Sequence, residues 1–141
     1  MDLSNLDNGV FLLNLLGLVH NPKDGKILIA KRENDPHIPD LSWCFPGGRA
    51  NYGSPFNINL EHIIDERAGI VTTAGRVIQA RSYPENPKIA SIYFECKYDL
   101  GTIKPGTPFT ELKWINPSET RKYFTTSVDA KVQRYLDSLK A

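Results

Sequence analysis

Cysteine is scarce in this sequence: Cys44 and Cys96 are the only two. Two thiols cannot build a disulfide framework or a zinc site by themselves, so both read as reduced side chains in strands. Excess charge is scarce as well. Seventeen Lys and Arg against 16 Asp and Glu leave a net charge of +1. That argues against a broad electrostatic footprint for nucleic acid and leaves a local basic patch open. The apolar run from Val10 to Val19 is broken by Asn14 and is too short to span a bilayer. Met1 to Asp7 carry acidic and no basic side chains, so no secretory signal is expected and the protein reads as cytoplasmic. Repeats, low-complexity tracts and linkers are absent. What remains is an ordinary globular composition, with 40% hydrophobic and 23% charged residues over 141 positions. The expectation is one domain over residues 1–141 with a real hydrophobic core.

The chain alternates strand and helix signals. Gly9 to Val19 reads as a buried strand, and Asn21-Pro22-Lys23-Asp24-Gly25 as a turn. Lys26 to Arg32 then returns as the second arm of a hairpin. A polar loop, Glu33 to Asp40, leads to a short strand from Leu41 to Phe45, ended by Pro46. Ser54 as N-cap and Pro55 in the first turn predict a helix to about Ala68, closed by Gly69. Ile70 to Ser82 and Ile89 to Tyr98 are predicted strands around a turn at Pro84 to Pro87. After a loop from Asp99 to Pro108, Thr110 to Ile115 is another strand. Asn116-Pro117 begins a short helix through about Tyr123. Ser127 or Asp129 opens a last helix to about Leu139, with Val132, Tyr135, Leu136 and Leu139 on one face.

The stretch that organises the rest is Phe45 to Ile70. A glycine-rich turn, Phe45-Pro46-Gly47-Gly48-Arg49, leaves a strand and enters a helix ending Glu66-Arg67-Ala68-Gly69-Ile70. Such an entry is a common way to hold phosphates or a metal at a helix start. These residues resemble a Nudix box, whose motif is G, five residues, E, seven residues, then R-E-U-x-E-E-x-G-U, with U bulky aliphatic. With Gly48 as anchor, Ile64 falls on the first U and Gly69-Ile70 on the closing pair without a gap. Trp43-x-Phe45-Pro46-Gly47-Gly48, the strand Glu111-x-x-Trp114 and the last helix also resemble small Nudix hydrolases. The resemblance implies an α+β fold, an α/β/α sandwich in which a central mixed sheet is flanked by the Nudix helix and a C-terminal helix. It implies Mg²⁺ or Mn²⁺ as cofactor, and a nucleoside diphosphate linked to another moiety as ligand.

The catalytic positions depart from the pattern. The motif's first Glu falls on Ser54, its Arg on His62 and the next Glu on Ile63. The final Glu pair is Glu66 and Arg67. At about 100° per residue, positions 63, 66 and 67 share one helix face. There the family presents carboxylates and this chain presents Ile63, Glu66 and Arg67. An aliphatic side chain cannot ligate Mg²⁺, and a guanidinium repels it. Glu61 and Asp65 lie on the opposite face and read as solvent-facing charge.

Three functions therefore compete. In the first, the chain is a hydrolase with metal on Glu66, a glycine carbonyl near Gly48 and Glu111, and with His62 as the nearest base beside Glu66. The resemblance offers a precedent in the GDP-mannose hydrolase branch, which has a degenerate box. In the second, the chain is a non-catalytic module that binds a nucleotide or a short RNA through Arg32, Arg49 and Arg67, which can fork onto phosphate oxygens. A homodimeric interaction protein is the third alternative. Phe11, Tyr83, Tyr93 and Phe109 are candidates for base stacking or for core, and Trp43 and Trp114 for packing. The missing ligands favour a Nudix-like protein whose Mg²⁺-dependent pyrophosphohydrolase activity is impaired or lost.

Overall fold

A computed structural model describes residues 10–139; Met1 to Gly9 and the last two residues, including the acidic start and the first residue of the expected strand, lie outside them. The period-two alternation of the first strand, β1 (Leu12–His20), sorts the core into two halves. Leu15 and Val19 join one cluster with Leu60, Ile64 and Ala68 of the helix α1 (Phe56–Ala68). Leu18, with Leu16 beside it, joins another with Val132 and Leu136 of the C-terminal helix α3 (Ala130–Ser138). The sheet lies between the two helices, so the molecule is an α+β sandwich around a mixed sheet.

The other strands are β2 (Ile27–Arg32), β3 (Trp43–Cys44), β4 (Gly47–Arg49), β5 (Val71–Tyr83), β6 (Asn86–Leu100) and β7 (Phe109–Ile115). A short 3-10 turn, Pro117–Glu119, runs into α2 (Thr120–Tyr123). The expected hairpin forms, with Asn21 N–H donating to Lys26 O at 2.9 Å. Yet β1 and β2 pair only at His20↔Ile27 before they part. From there β1 takes a new antiparallel partner, β4, through Leu16↔Gly47, Leu15↔Gly48 and Asn14↔Arg49. On its other side β1 runs parallel to β6, from Leu12↔Ile89 to His20↔Lys97. Meanwhile β2 pairs with β3 and β7. The splay between β1 and β2 is the feature that positions the site.

Several boundaries differ from expectation. Gly47 to Arg49 is a strand and not simply a turn. Glycine at 47 permits it, because a Cβ there would sit 2.0 Å from Leu15 O. The strand expected over Leu41 to Phe45 shortens to Trp43–Cys44. Ser54 does not cap α1: Pro55 occupies the N-cap position with an extended backbone, and no side chain caps the helix. The turn between β5 and β6 tightens to Pro84 and Glu85. Glu61 is not simply solvent-facing, because its Oε2 accepts the Ala74 N–H at 2.8 Å beside an irregularity in β5. Elsewhere local chemistry acts as read. Gly69 closes α1 at φ 74°, a conformation that suits glycine, and its N–H bonds Asp65 O. Asp129 caps α3 by accepting the N–H groups of Lys131 and Val132.

The segment after β6 completes the C-terminal end of α1. Lys104 and Gly106 donate their N–H groups to Ala68 O and Arg67 O, at 2.9 and 2.8 Å. Those carbonyls have no partner within the helix. Ile64 is fully buried where α1 meets the sheet. Ile64→Ala is expected to lower stability by roughly 2–5 kcal/mol, through lost burial and a residual cavity. Urea unfolding measures this, and a loss under about 1 kcal/mol would mean that the helix–sheet contact repacks freely.

Candidate functional site

A cleft of about 330 Å³ opens in the splay between β1 and β2. One end lies toward α1 and is basic: Arg32, Arg67, Gly48 and Cys44 line it, with Phe109 alongside. The other end lies toward α3 and is largely apolar, with Leu16, Phe45, Tyr83, Tyr93 and Phe124 among its walls. Between them β4, β1 and β6 contribute one row, Arg49–Asn14–Ser91, through the registers Asn14↔Arg49 and Asn14↔Ser91.

Arg67 is the residue that reads most clearly. It leaves the last turn of α1 and reaches toward the sheet. Its Nη1 donates to Gly47 O at 3.1 Å, and its guanidinium lies 5.9 Å from the centre of the Phe109 ring. A Cβ on Gly48 would meet Arg67 Nη1 at 2.6 Å, so the absence of a side chain there makes room for the guanidinium. Burial, and then the Arg32 guanidinium, hold the pKa of Arg67 below the usual arginine range. Among the described residues no carboxylate lies within ion-pair distance of it.

Arg32 ends β2 just past a register shift between Lys31 and Arg32, the kind of irregularity that re-aims a side chain. Its Nε pairs with Asp35 Oδ2 at 3.2 Å. Cys44 sits between these groups, and burial pushes its thiol up to about 12. It is therefore a thiol and not a thiolate nucleophile at neutral pH.

The structure brings Arg32, Arg49, Arg67 and Gly48 to one cleft. Glu66, His62 and Glu111 are exposed and do not line it. Of the aromatic candidates, Tyr83, Tyr93 and Phe109 are buried and line it, whereas Phe11 is exposed and does not. Trp43 packs edge-on against Tyr123, and Trp114 against Tyr98. Sequence reasoning passed over Asp35, Asn14 and Ser91. The Asp-Pro dipeptide three residues after Arg32 was a turn signal that could have drawn attention to Asp35.

Magnesium is the metal the resemblance implies, and the residues present do not fit it. Its ligands would be carboxylates and backbone oxygens. Here Gly47 O accepts from Arg67, a buried Ile63 approaches Gly48, and Glu66 points to solvent. Among the described residues no group of three His, Cys, Asp or Glu side chains is placed to hold a metal ion.

No protein-family model matches the sequence, and no curated protein matches it. Solved structures do match the fold. An ADP-ribose pyrophosphatase from Streptococcus suis is 17% identical with a TM-score of 0.68, over 89% of this chain and 87% of that one. A Nudix hydrolase from Nitrosomonas europaea is 16% identical with a TM-score of 0.75, over 92% and 72%. An Ap4A hydrolase from C. elegans is 17% identical with a TM-score of 0.67, over 88% and 92%. The chain therefore has the Nudix fold. No helix among the described residues is long and apolar enough to cross a membrane.

Proposed function

We propose that the cleft binds a nucleoside diphosphate linked to a further group, with Arg32, Arg67 and Arg49 on the phosphate oxygens. Binding in this reading needs no divalent metal, and hydrolysis by the standard Mg²⁺ route is impaired or lost. The observation that carries it is Arg67, a partly buried guanidinium anchored on Gly47 O, held below its usual pKa by burial and then by Arg32, with no carboxylate within ion-pair distance among the described residues. Arg32 is paired with Asp35 and Arg67 is not, so the half-dry cleft keeps an uncompensated cationic charge, and a phosphate chain completes it. The aromatic end supplies faces for a base, and the cleft volume lies in the range of small-molecule sites. Neighbours of the same fold include an ADP-ribose pyrophosphatase and an Ap4A hydrolase, which supports a nucleotide-type ligand. Glu66 and His62 have no catalytic role in this reading. We also place the protein in the cytoplasm, where Cys44 and Cys96, both free, stay reduced.

The test is calorimetric titration with ADP-ribose in EDTA and again in Mg²⁺, with products followed in the same samples. The expected result is binding that changes by less than about threefold between the two buffers, without product. Metal-dependent turnover would reverse the reading and send the search back to Glu66 and its neighbours for the metal and base.

A further inference from the structure

Asp35 lies in the loop between β2 and β3, outside the Phe45 to Ile70 stretch, and its geometry is unusually complete. Asn34 adopts a left-handed backbone at φ 56°, which asparagine tolerates, and turns the chain so that Asp35 comes back against Arg32. The Asp35 side chain is only 9% exposed. Its Oδ1 accepts the N–H groups of His37 and Ile38, both at 2.8 Å, and its Oδ2 lies 3.2 Å from Arg32 Nε. The loop is itself tied down, because Arg32 N–H donates to Ser42 O, and Ile38 packs with Tyr83 and Ile89.

This arrangement fixes how Arg32 is presented. A guanidinium has five N–H donors in a planar fork. Asp35 engages Nε, and the two terminal nitrogens make no hydrogen bond or ion pair among the described residues. Arg67 is anchored in a similar way, by one terminal nitrogen on Gly47 O. Each arginine is held by one donor and keeps others for a ligand.

We propose that Asp35 is a positioning residue for anion binding: it holds Arg32 by Nε so that the terminal nitrogens of the fork meet a phosphate of the bound diphosphate. The proposal rests on the reading of the cleft given above, and it makes a prediction of unexpected sign. By charge alone, a carboxylate beside an anion site weakens binding, so removing its charge strengthens binding. By positioning, removing it weakens binding, because Arg32 loses its fixed orientation and must be ordered by the ligand.

The experiment measures affinity for inorganic pyrophosphate and for ADP-ribose in EDTA, with wild type, Asp35→Asn, Arg32→Ala and the double variant. Asp35→Asn is expected to lose about tenfold for both ligands. In the Arg32→Ala background the same change is expected to have less than about a twofold effect, because Asp35 acts through Arg32. Arg32→Lys, which keeps the charge and leaves Asp35 untouched, is expected to lose nearly as much as Arg32→Ala, since an ammonium lacks the fork. This variant decides the matter should Asp35→Asn fold poorly. Three results overturn the proposal: Asp35→Asn binding as well as or better than wild type, its loss persisting without Arg32, or Arg32→Lys binding like wild type. Failure of wild type itself to bind either ligand removes the reading of the cleft, and the role of Asp35 with it.

Discussion

Arg67→Met is expected to weaken ADP-ribose binding by about 30- to 300-fold without lowering the thermal stability of the free protein. The loss follows from removing a charged donor from a partly buried anion site, where such truncations cost about 2–3 kcal/mol or more, equal to tenfold for each 1.4 kcal/mol. The stability side has opposing parts. Methionine gives up the bond to Gly47 O, worth about 1 kcal/mol net. It also ends the burial of a guanidinium beside Arg32, the same burial and repulsion that depress its pKa. Replacing a poorly compensated buried charge by an apolar chain of similar length is often neutral or stabilising, and a thioether packs well against an aromatic ring such as Phe109. Calorimetry and a melting curve on the same samples give both quantities. A large fall in melting temperature with affinity retained would make Arg67 a strut of the fold and not a ligand contact.

Gly47→Ala is expected to be the most damaging single-methyl addition in the cleft, at about 3–4 kcal/mol and roughly ten degrees of melting temperature. The added Cβ would stand 2.0 Å from Leu15 O, a backbone atom fixed by the pairing of β1 with β6. Neither strand can move without breaking the three-residue ladder between β4 and β1. Gly48→Ala is the instructive contrast. There the Cβ meets the tip of the Arg67 side chain, which can swing away. It is expected to lose binding as Arg67→Met does, with less than about half the stability loss of Gly47→Ala. Equal melting temperatures for the two variants would show that β4 and β1 separate easily.

The fold was legible in the sequence because its signals are local. Gly69 after a helical run, Asp129 before one, and Asp24-Gly25 between two apolar stretches each state a backbone conformation by themselves. The fit of Gly48, Ile64, Gly69 and Ile70 to one motif then sets the order of elements. Two things were not legible. The first is β4: Gly47 to Arg49 reads as a turn, because what makes it a strand is the close approach of β1, which no local pattern encodes. The second is the direction of side chains at the helix end. Positions 63, 66 and 67 share a face in projection, but they do not share surroundings. Ile63 is buried near Gly48, Arg67 crosses to Gly47 O, and Glu66 faces solvent. Asp35 was missed for a similar reason, since its importance lies in closing back on a residue three positions earlier.

The change of partners along β1 also bears on how the chain reaches this state. The hairpin between β1 and β2 needs only a short loop to close, and helix α1 only its own residues. The parallel ladder that joins Leu12 to Ile89 and Leu15 to Ile92 cannot form until most of the chain has been made and brought back. Contacts so distant along the chain are slow to form, because the entropy of closing the intervening segment is lost before the pairing compensates it. The floor of the cleft is made of that ladder. The ligand site is therefore expected to be among the last parts of the molecule to assemble, with binding competence appearing after most of the helical signal during refolding.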